Sequence, residues 1–222
     1  MKDEDIRLIK KLYRAHPWHG VSIGKTAPDI VTAYIEIVPT DAIKYELDKN
    51  SGFLKIDRPQ RFSNTVPALY GMIPQTLCDK QVAELCREKT GYKNIVGDND
   101  PLDICVLAEK NVLHGDIILR AVPIGGLRMI DHSEADDKII AVLQNDPLYG
   151  HWKNISDCSK SILERLKHYF LTYKNIPELG EQVEQEITHT YGREEALDVI
   201  TRSQEDYKNA YPEMYELFKA RN

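Results

Sequence analysis

From about Ala33 to Gln144 the chain alternates apolar and polar residues with a period of two, the mark of strands that turn one face toward a core. Six segments are predicted as strands: Ala33–Val38, Ile43–Leu47, Phe53–Asp57, Ile104–Leu107, Ile117–Val122 and Lys138–Leu143, separated by Asp, Asn, Gly and Pro. Between the second and third, Asp48-Lys49-Asn50-Ser51-Gly52 predicts a hairpin turn, because Asn and Gly accept positive φ. A turn is also expected at Gly125-Gly126. Past Ser156 the period changes. Ile162, Leu166, Tyr169, Phe170 and Tyr173 recur at helical spacing behind a Ser/Asp start. Further helices are predicted from near Arg193 toward Tyr207 and over Lys80–Lys89. Many short strands followed by helices make an α+β, mainly β fold, a small barrel with helices packed outside it.

Composition narrows the partners rather than the fold. The 222 residues are 42% apolar and 29% charged, inside the globular range, and suffice for one substantial core. A net charge of -6 leaves no general positive field for a nucleic-acid backbone or an anionic membrane surface, so any bound anion needs locally placed cations. Met1 to Arg14 is charged and amphipathic without an apolar signal core, and no later segment has the apolar length to span a bilayer, so a cytoplasmic protein is expected. Cys78, Cys86, Cys105 and Cys158 show no C-x-x-C spacing and are expected as reduced thiols.

The most informative run is Asp98-Asn99-Asp100-Pro101-Leu102-Asp103, three carboxylates within one turn's reach, just before a strand. Like charges this close raise one another's pKa unless a cation or proton intervenes, so a hard, oxygen-seeking metal is the natural partner. A calcium loop fits poorly, because Leu102 holds its fifth position and Asp103 the sixth, where glycine is required. A second acidic group, Asp131, Glu134, Asp136 and Asp137, precedes Lys138. Two hard-metal sites fed by separate loops suit phosphoryl chemistry, in which paired ions activate a water and neutralise the leaving oxygen.

Candidate cations are individually ambiguous. In Lys44-Tyr45-Glu46-Leu47-Asp48 the strand period puts Lys44, Glu46 and Asp48 on one face and gives Tyr45 and Leu47 to the core. Arg58, Lys138 and Tyr173-Lys174 read singly as ordinary surface groups. Gly24-Lys25-Thr26 lacks the glycine that opens a P-loop, and His16 and His19, flanking Pro17-Trp18, are expected to pack in a turn.

Taken together and in order, Tyr34-Ile35-Glu36-Ile37, Lys44 through Asp48, Asp57-Arg58, Pro67 through Tyr70-Gly71, Ile73 through Thr76, the aspartate run, Asp131 through Lys138 and His168 through Lys174 closely resemble the soluble family I inorganic pyrophosphatases. The likeness is nearest to a divergent bacterial branch that carries an Ala-His-Pro-Trp-His-Gly segment and an insertion before the aspartate run. It implies one domain over 1–222 with an N-terminal extension to about residue 30 and an insertion at about 78–96, a candidate lid or oligomer contact. It also implies a five-stranded, closed, OB-like barrel with flanking helices, and Mg²⁺-dependent hydrolysis of diphosphate to two phosphates by a metal-activated water. By the same resemblance Asp98, Asp103, Asp131 and Asp136 are metal ligands, Glu36 acts mainly through water, and Asp100 is the general base. Lys44, Arg58, Tyr70, Lys138, Tyr173 and Lys174 hold phosphate oxygens, while Glu46 organises its neighbours. Mn²⁺ or Zn²⁺ are implied as substitutes and Ca²⁺ as an inhibitor, with a homo-oligomer, dimer or hexamer, and no nucleic-acid or membrane partner. The chain departs from the family at Val66 and Leu69, where an aromatic and a polar residue are usual. Against this stand two alternatives, a nucleotide pyrophosphohydrolase, which needs a base pocket, and a non-catalytic OB-fold or metal-binding module, which for single strands needs a basic groove.

Overall fold

The protein is described here by a computed structural model covering residues 13–174 and 185–219. Most of the charged, amphipathic start of the chain lies outside the described residues. Among those residues ten strands form: β1 (Val31–Ile37), β2 (Ile43–Leu47), β3 (Leu54–Pro59), β4 (Leu69–Met72), β5 (Val96–Gly97), β6 (Asp103–Leu107), β7 (Ile117–Asp131), β8 (Glu134–Ala135), β9 (Lys138–Leu143) and β10 (Gln185–Gly192). The helices are α1 (Lys80–Thr90), α2 (Lys160–Thr172), α3 (Arg193–Ala210) and α4 (Pro212–Lys219). Hydrogen bonding runs β1-β4-β6-β9-β7, and β7 then returns to pair with β1, so five strands close into the barrel-like ring that the sequence pattern leads one to expect. β6 and β9 are parallel and the other ring pairs antiparallel. β2 and β3 make a separate hairpin.

The alternation that predicts strands also divides the core. Ile104, Val106, Ile139 and Ala141 belong to one buried cluster with α1 and α3, while Cys105, Leu107, Ile140 and Val142 belong to another with α2. Both faces of these two central strands are therefore covered. Val66 and Leu69 are buried members of the two clusters, so their apolar side chains replace polar contacts with packing.

Several expectations change. Gly125-Gly126 is not a turn: β7 runs unbroken through it for 15 residues, bulging between Pro123 and Gly125. The glycines are needed for close approach, since a Cβ on Gly125 would lie 2.4 Å from the Tyr191 carbonyl oxygen and one on Gly126 2.4 Å from the Tyr191 ring. The insertion packs on the body of the fold: Val82, Ala83, Leu85, Cys86 and Ile95 are buried in the first cluster, and Asp206 accepts backbone N–H bonds from Asp79, Gln81 and Val82 at the start of α1. Its end also abuts the aspartate run: Asn99 N–H donates to the Cys78 carbonyl, Cys78 N–H donates to the Asp100 carbonyl, and a Cβ on Gly97 would lie 2.2 Å from the Cys78 oxygen. All four cysteines are buried free thiols. Among the described residues no helix is long and apolar enough to cross a membrane.

Candidate active site

Strand period, hairpin geometry and left-handed residues in two turns bring the separate acidic and basic segments to one mouth of the ring. Asn99 takes φ 59°, a conformation asparagine tolerates, and Asp100 N–H bonds Asp98 Oδ1 at 2.9 Å, so a tight bend turns both carboxylates to the same side. Asp103 opens β6 and pairs in register with Lys138, which opens the parallel β9; Met72 of β4 faces Asp103 from the other side. Asp131 ends β7, and a turn with positive φ at His132 and Ser133 folds β8 back, so Asp131, Glu134, Asp136 and Lys138 all reach the same space. From the hairpin come Lys44 and Arg58, and from the end of α2 Tyr173 and Lys174.

The cavity they line holds about 640 Å³. All thirteen residues named from the sequence line it: Glu36, Lys44, Glu46, Arg58, Tyr70, Asp98, Asp100, Asp103, Asp131, Asp136, Lys138, Tyr173 and Lys174. Lys49, Asp57 and Glu134 join them unassigned by sequence reasoning. Asp57 and Glu134 were visible beside Arg58 and within the second acidic group, but Lys49 sits at the hairpin tip, where a period-two argument stops applying.

Lysines stand between carboxylates throughout. Lys138 Nζ donates to Asp103 and Asp136, Lys174 to Asp131, and Lys49 to Asp100. Lys44 Nζ donates to Glu46 at 2.7 Å and Asp57 at 2.8 Å, which also accepts from Arg58; Glu46 thus acts by holding a lysine. The Tyr70 hydroxyl donates to Asp103 at 2.5 Å. Glu36, on β1, is buried and accepts the Leu47 N–H at 2.8 Å, tying the hairpin to the ring.

Burial and mutual repulsion shape the protonation of this set. Burial, then Asp103, pushes the Glu36 carboxyl up to about 8; burial, then Asp136, pushes Asp98 up to about 9. Burial also raises Asp136. For Asp131 burial is outweighed by Lys174 and His132, and the carboxyl is held below the usual range. Burial would drain the proton from Lys138, yet Asp103 and Asp136 keep it firmly ammonium.

This donor set fits divalent cations. The wall is built of oxygen ligands, which hard ions require. Ten carboxylates against six lysines and arginines line the cavity, so a polyanionic substrate could enter only with extra positive charge. Among the described residues no three His, Cys, Asp or Glu side chains already form a closed cage around one point, because ammonium groups take up the carboxylate oxygens.

The comparisons agree with this chemistry. The family model described as inorganic pyrophosphatase matches residues 33–208. An inorganic pyrophosphatase of Chlamydia trachomatis is 50% identical over 200 residues, 89% of this chain and 96% of that protein. A soluble inorganic pyrophosphatase of Zea mays is 40% identical over 167 residues, 75% of this chain and 69% of that protein. The crystal structure of the Thermus thermophilus inorganic pyrophosphatase superposes with a TM-score of 0.72 at 28% identity, covering 88% of this chain and 99% of that one. With the ring of strands, the carboxylate-lined mouth and these likenesses in agreement, the chain belongs to the inorganic pyrophosphatase family, enzymes that hydrolyse diphosphate to phosphate.

Proposed function

We propose that the cavity hydrolyses diphosphate by direct attack of water, with Mg²⁺ as the metal, Asp100 as the base and no covalent enzyme intermediate. The observation that carries this reading is the meeting in one cavity of acidic residues from two loops and lysines and an arginine from three elements. Asp98, Asp103, Asp131 and Asp136 would hold the ions, with Glu36 acting through water. When bound, Mg²⁺ supplies Lewis acidity, lowering the pKa of water and neutralising charge on the phosphoryl oxygens.

The chain's own groups then divide the remaining work. Asp100 accepts the proton of the attacking water, and its half-exposed side chain stands where that water can reach it. Arg58 grips a phosphate through its planar fork, and Lys44, Lys138 and Lys174 act as point charges on departing oxygens. The Tyr70 and Tyr173 hydroxyls are held as neutral donors, since burial pushes both phenols up. Glu46 keeps Lys44 charged and aimed. Mn²⁺ or Zn²⁺ would substitute, whereas Ca²⁺, larger and less strictly octahedral, would inhibit by holding the groups apart. The reading extends to a cytoplasmic homo-oligomer, dimer or hexamer, of one catalytic domain; exposed Leu113 and Ile118 supply apolar surface for such contacts.

The test is phosphate release by the purified protein from diphosphate, ATP and a phosphomonoester, with and without Mg²⁺. Fast, Mg²⁺-dependent release from diphosphate alone is expected. Absence of release from diphosphate with Mg²⁺, Mn²⁺ or Zn²⁺ in a folded sample would defeat the reading, and ATP as the preferred substrate would favour the nucleotide pyrophosphohydrolase.

A further inference from the structure

Between two residues that line the cavity, Asp136 and Lys138, stands one that does not. Alternation along an extended segment sends Asp137 to the opposite side, where its side chain is fully buried. There it accepts the Tyr191 hydroxyl at 2.9 Å and pairs with Arg128 Nη1 at 3.0 Å. Arg128 is itself fully buried, lies 5.1 Å over the Tyr191 ring, and donates from Nη2 to Glu195 at 2.7 Å. Glu195 in turn lies 3.7 Å from both Lys89 and His189. One carboxylate on the loop is thus fastened to β7, to β10 and to the first turn of α3.

A buried ion pair is a poor way to gain stability, because removing two charges from water costs about as much as their attraction returns. It can still fix position: the Tyr191 hydroxyl on Asp137 and Arg128 Nη2 on Glu195 are directed hydrogen bonds, while among the described residues Arg128 Nε and Nη1 and Asp137 Oδ1 are buried without one, so the Arg128–Asp137 contact holds as an ion pair. We propose that Arg128 and Asp137, with Tyr191, are positioning residues that set the Asp131–Lys138 loop at the depth and angle needed for Asp136 and Lys138 to serve metal and phosphate. This rests on the active-site reading above, and it concerns residues outside the cavity. The backbone supports it: Asp136 N–H donates to the Met129 carbonyl, and Leu127 pairs with Lys138, so Arg128 sits on β7 between the two strand residues that the loop leans on.

The experiment separates positioning from mere stability. Four variants are compared with wild type for Tm, for binding of Mn²⁺ alone by titration calorimetry, and for kcat and KM on diphosphate: Arg128→Met, Asp137→Asn, the double Arg128→Met/Asp137→Leu, and Tyr191→Phe. Arg128→Met strands a buried carboxylate and is expected to lower Tm. The double variant replaces the pair by apolar side chains and is expected to recover Tm, while Mn²⁺ affinity and kcat stay about tenfold or more below wild type and KM changes less. Asp137→Asn, which keeps an acceptor for Tyr191 but loses the charge, is expected to fall between. Recovery of Tm together with wild-type Mn²⁺ affinity and kcat in the double variant would overturn the proposal. Should the Arg128 variants not fold, Tyr191→Phe deletes one hydroxyl and keeps the ring; a loss of about threefold or more in Mn²⁺ affinity at little-changed Tm supports positioning, and unaltered binding overturns it. Because the Mn²⁺ titration needs no turnover, its outcome is distinct from a failure of the wild type to hydrolyse diphosphate.

Discussion

Asp100 has about half its side chain in solvent, while Asp103, Asp131 and Asp136 keep 22%, 12% and 15% of theirs. Removing its charge should therefore leave packing intact while abolishing the role of base. Asp100→Asn is expected to lower kcat by about a hundredfold or more, with Tm moved by no more than about 2 °C. Asp103 occupies a different place, shared between the Tyr70 hydroxyl and the Lys138 ammonium. Asp103→Asn is expected to raise the half-saturating Mg²⁺ concentration about tenfold or more, read from a Mg²⁺ titration of activity; an unchanged titration would remove it from the ligand set. Lys49 shows what a residue-by-residue reading misses. Its neighbours Lys44, Glu46 and Asp48 share a face by strand period, but at the tip the chain reverses and the residue's direction is set by the turn.

At the scale of elements, the short regular strands were legible and the long irregular one was not. β2 and β9 begin and end where alternation places them, because each is short and bounded by turn residues, although the β2–β3 and β7–β9 pairings each carry a bulge. Alternation predicts β7 only to Val122, since Gly125-Gly126 carries the usual marks of a turn. What decides otherwise is Tyr191, whose β10 backbone and ring lie against those glycines. That partner is more than sixty residues away, invisible to a local pattern. β4 escapes the pattern for a related reason: Leu69-Tyr70-Gly71-Met72 is too short for a period, and Gly71 is required because a Cβ there would lie 1.9 Å from the Tyr34 carbonyl oxygen. The same close packing yields a prediction at Gly126. Gly126→Ala would press the Tyr191 ring, which Asp137 holds in place, at a cost of about 1–3 kcal/mol. For a chain of this length calorimetry should show Tm lowered by about 3–10 °C.

Across the whole molecule, the set of residues that gather in the cavity was more legible than the scaffold, because carboxylates and cations that converge on one place leave ordered motifs, and the family resemblance those motifs carry, even when strands between them are obscure. The N-terminal segment is legible in the same way, though its histidines pack rather than line the cavity. His16 and His19 do pack in a turn: His16 Nδ1 accepts the N–H groups of Trp18 and His19, while His19 stacks on Trp18 and meets the Tyr207 hydroxyl at 2.8 Å. Burial, then His16, depresses the His19 imidazole to about 4 from an ordinary 6.5. Between those values the unfolded chain binds a proton that the folded chain refuses, so stability present above pH 6.5 is lost as pH falls toward 4. Urea midpoints measured from about pH 7 to about pH 4 should fall more steeply for wild type than for His19→Gln; parallel curves would show that His19 does not contribute.

Closure of the ring has a kinetic consequence. β1 finds its partner β7 some eighty residues downstream, and the parallel register of Asp103 with Lys138 forms only after the chain has travelled out along β7 and back. Such pairings are nonlocal, and the loops they close must be ordered before any contact rewards them. Glu36 and Lys174, the first and last along the chain of the thirteen residues named from the sequence, line one cavity only when that assembly is complete. On refolding from denaturant, helical signal should therefore return early and hydrolytic activity last, with the active site serving as a reporter of global closure.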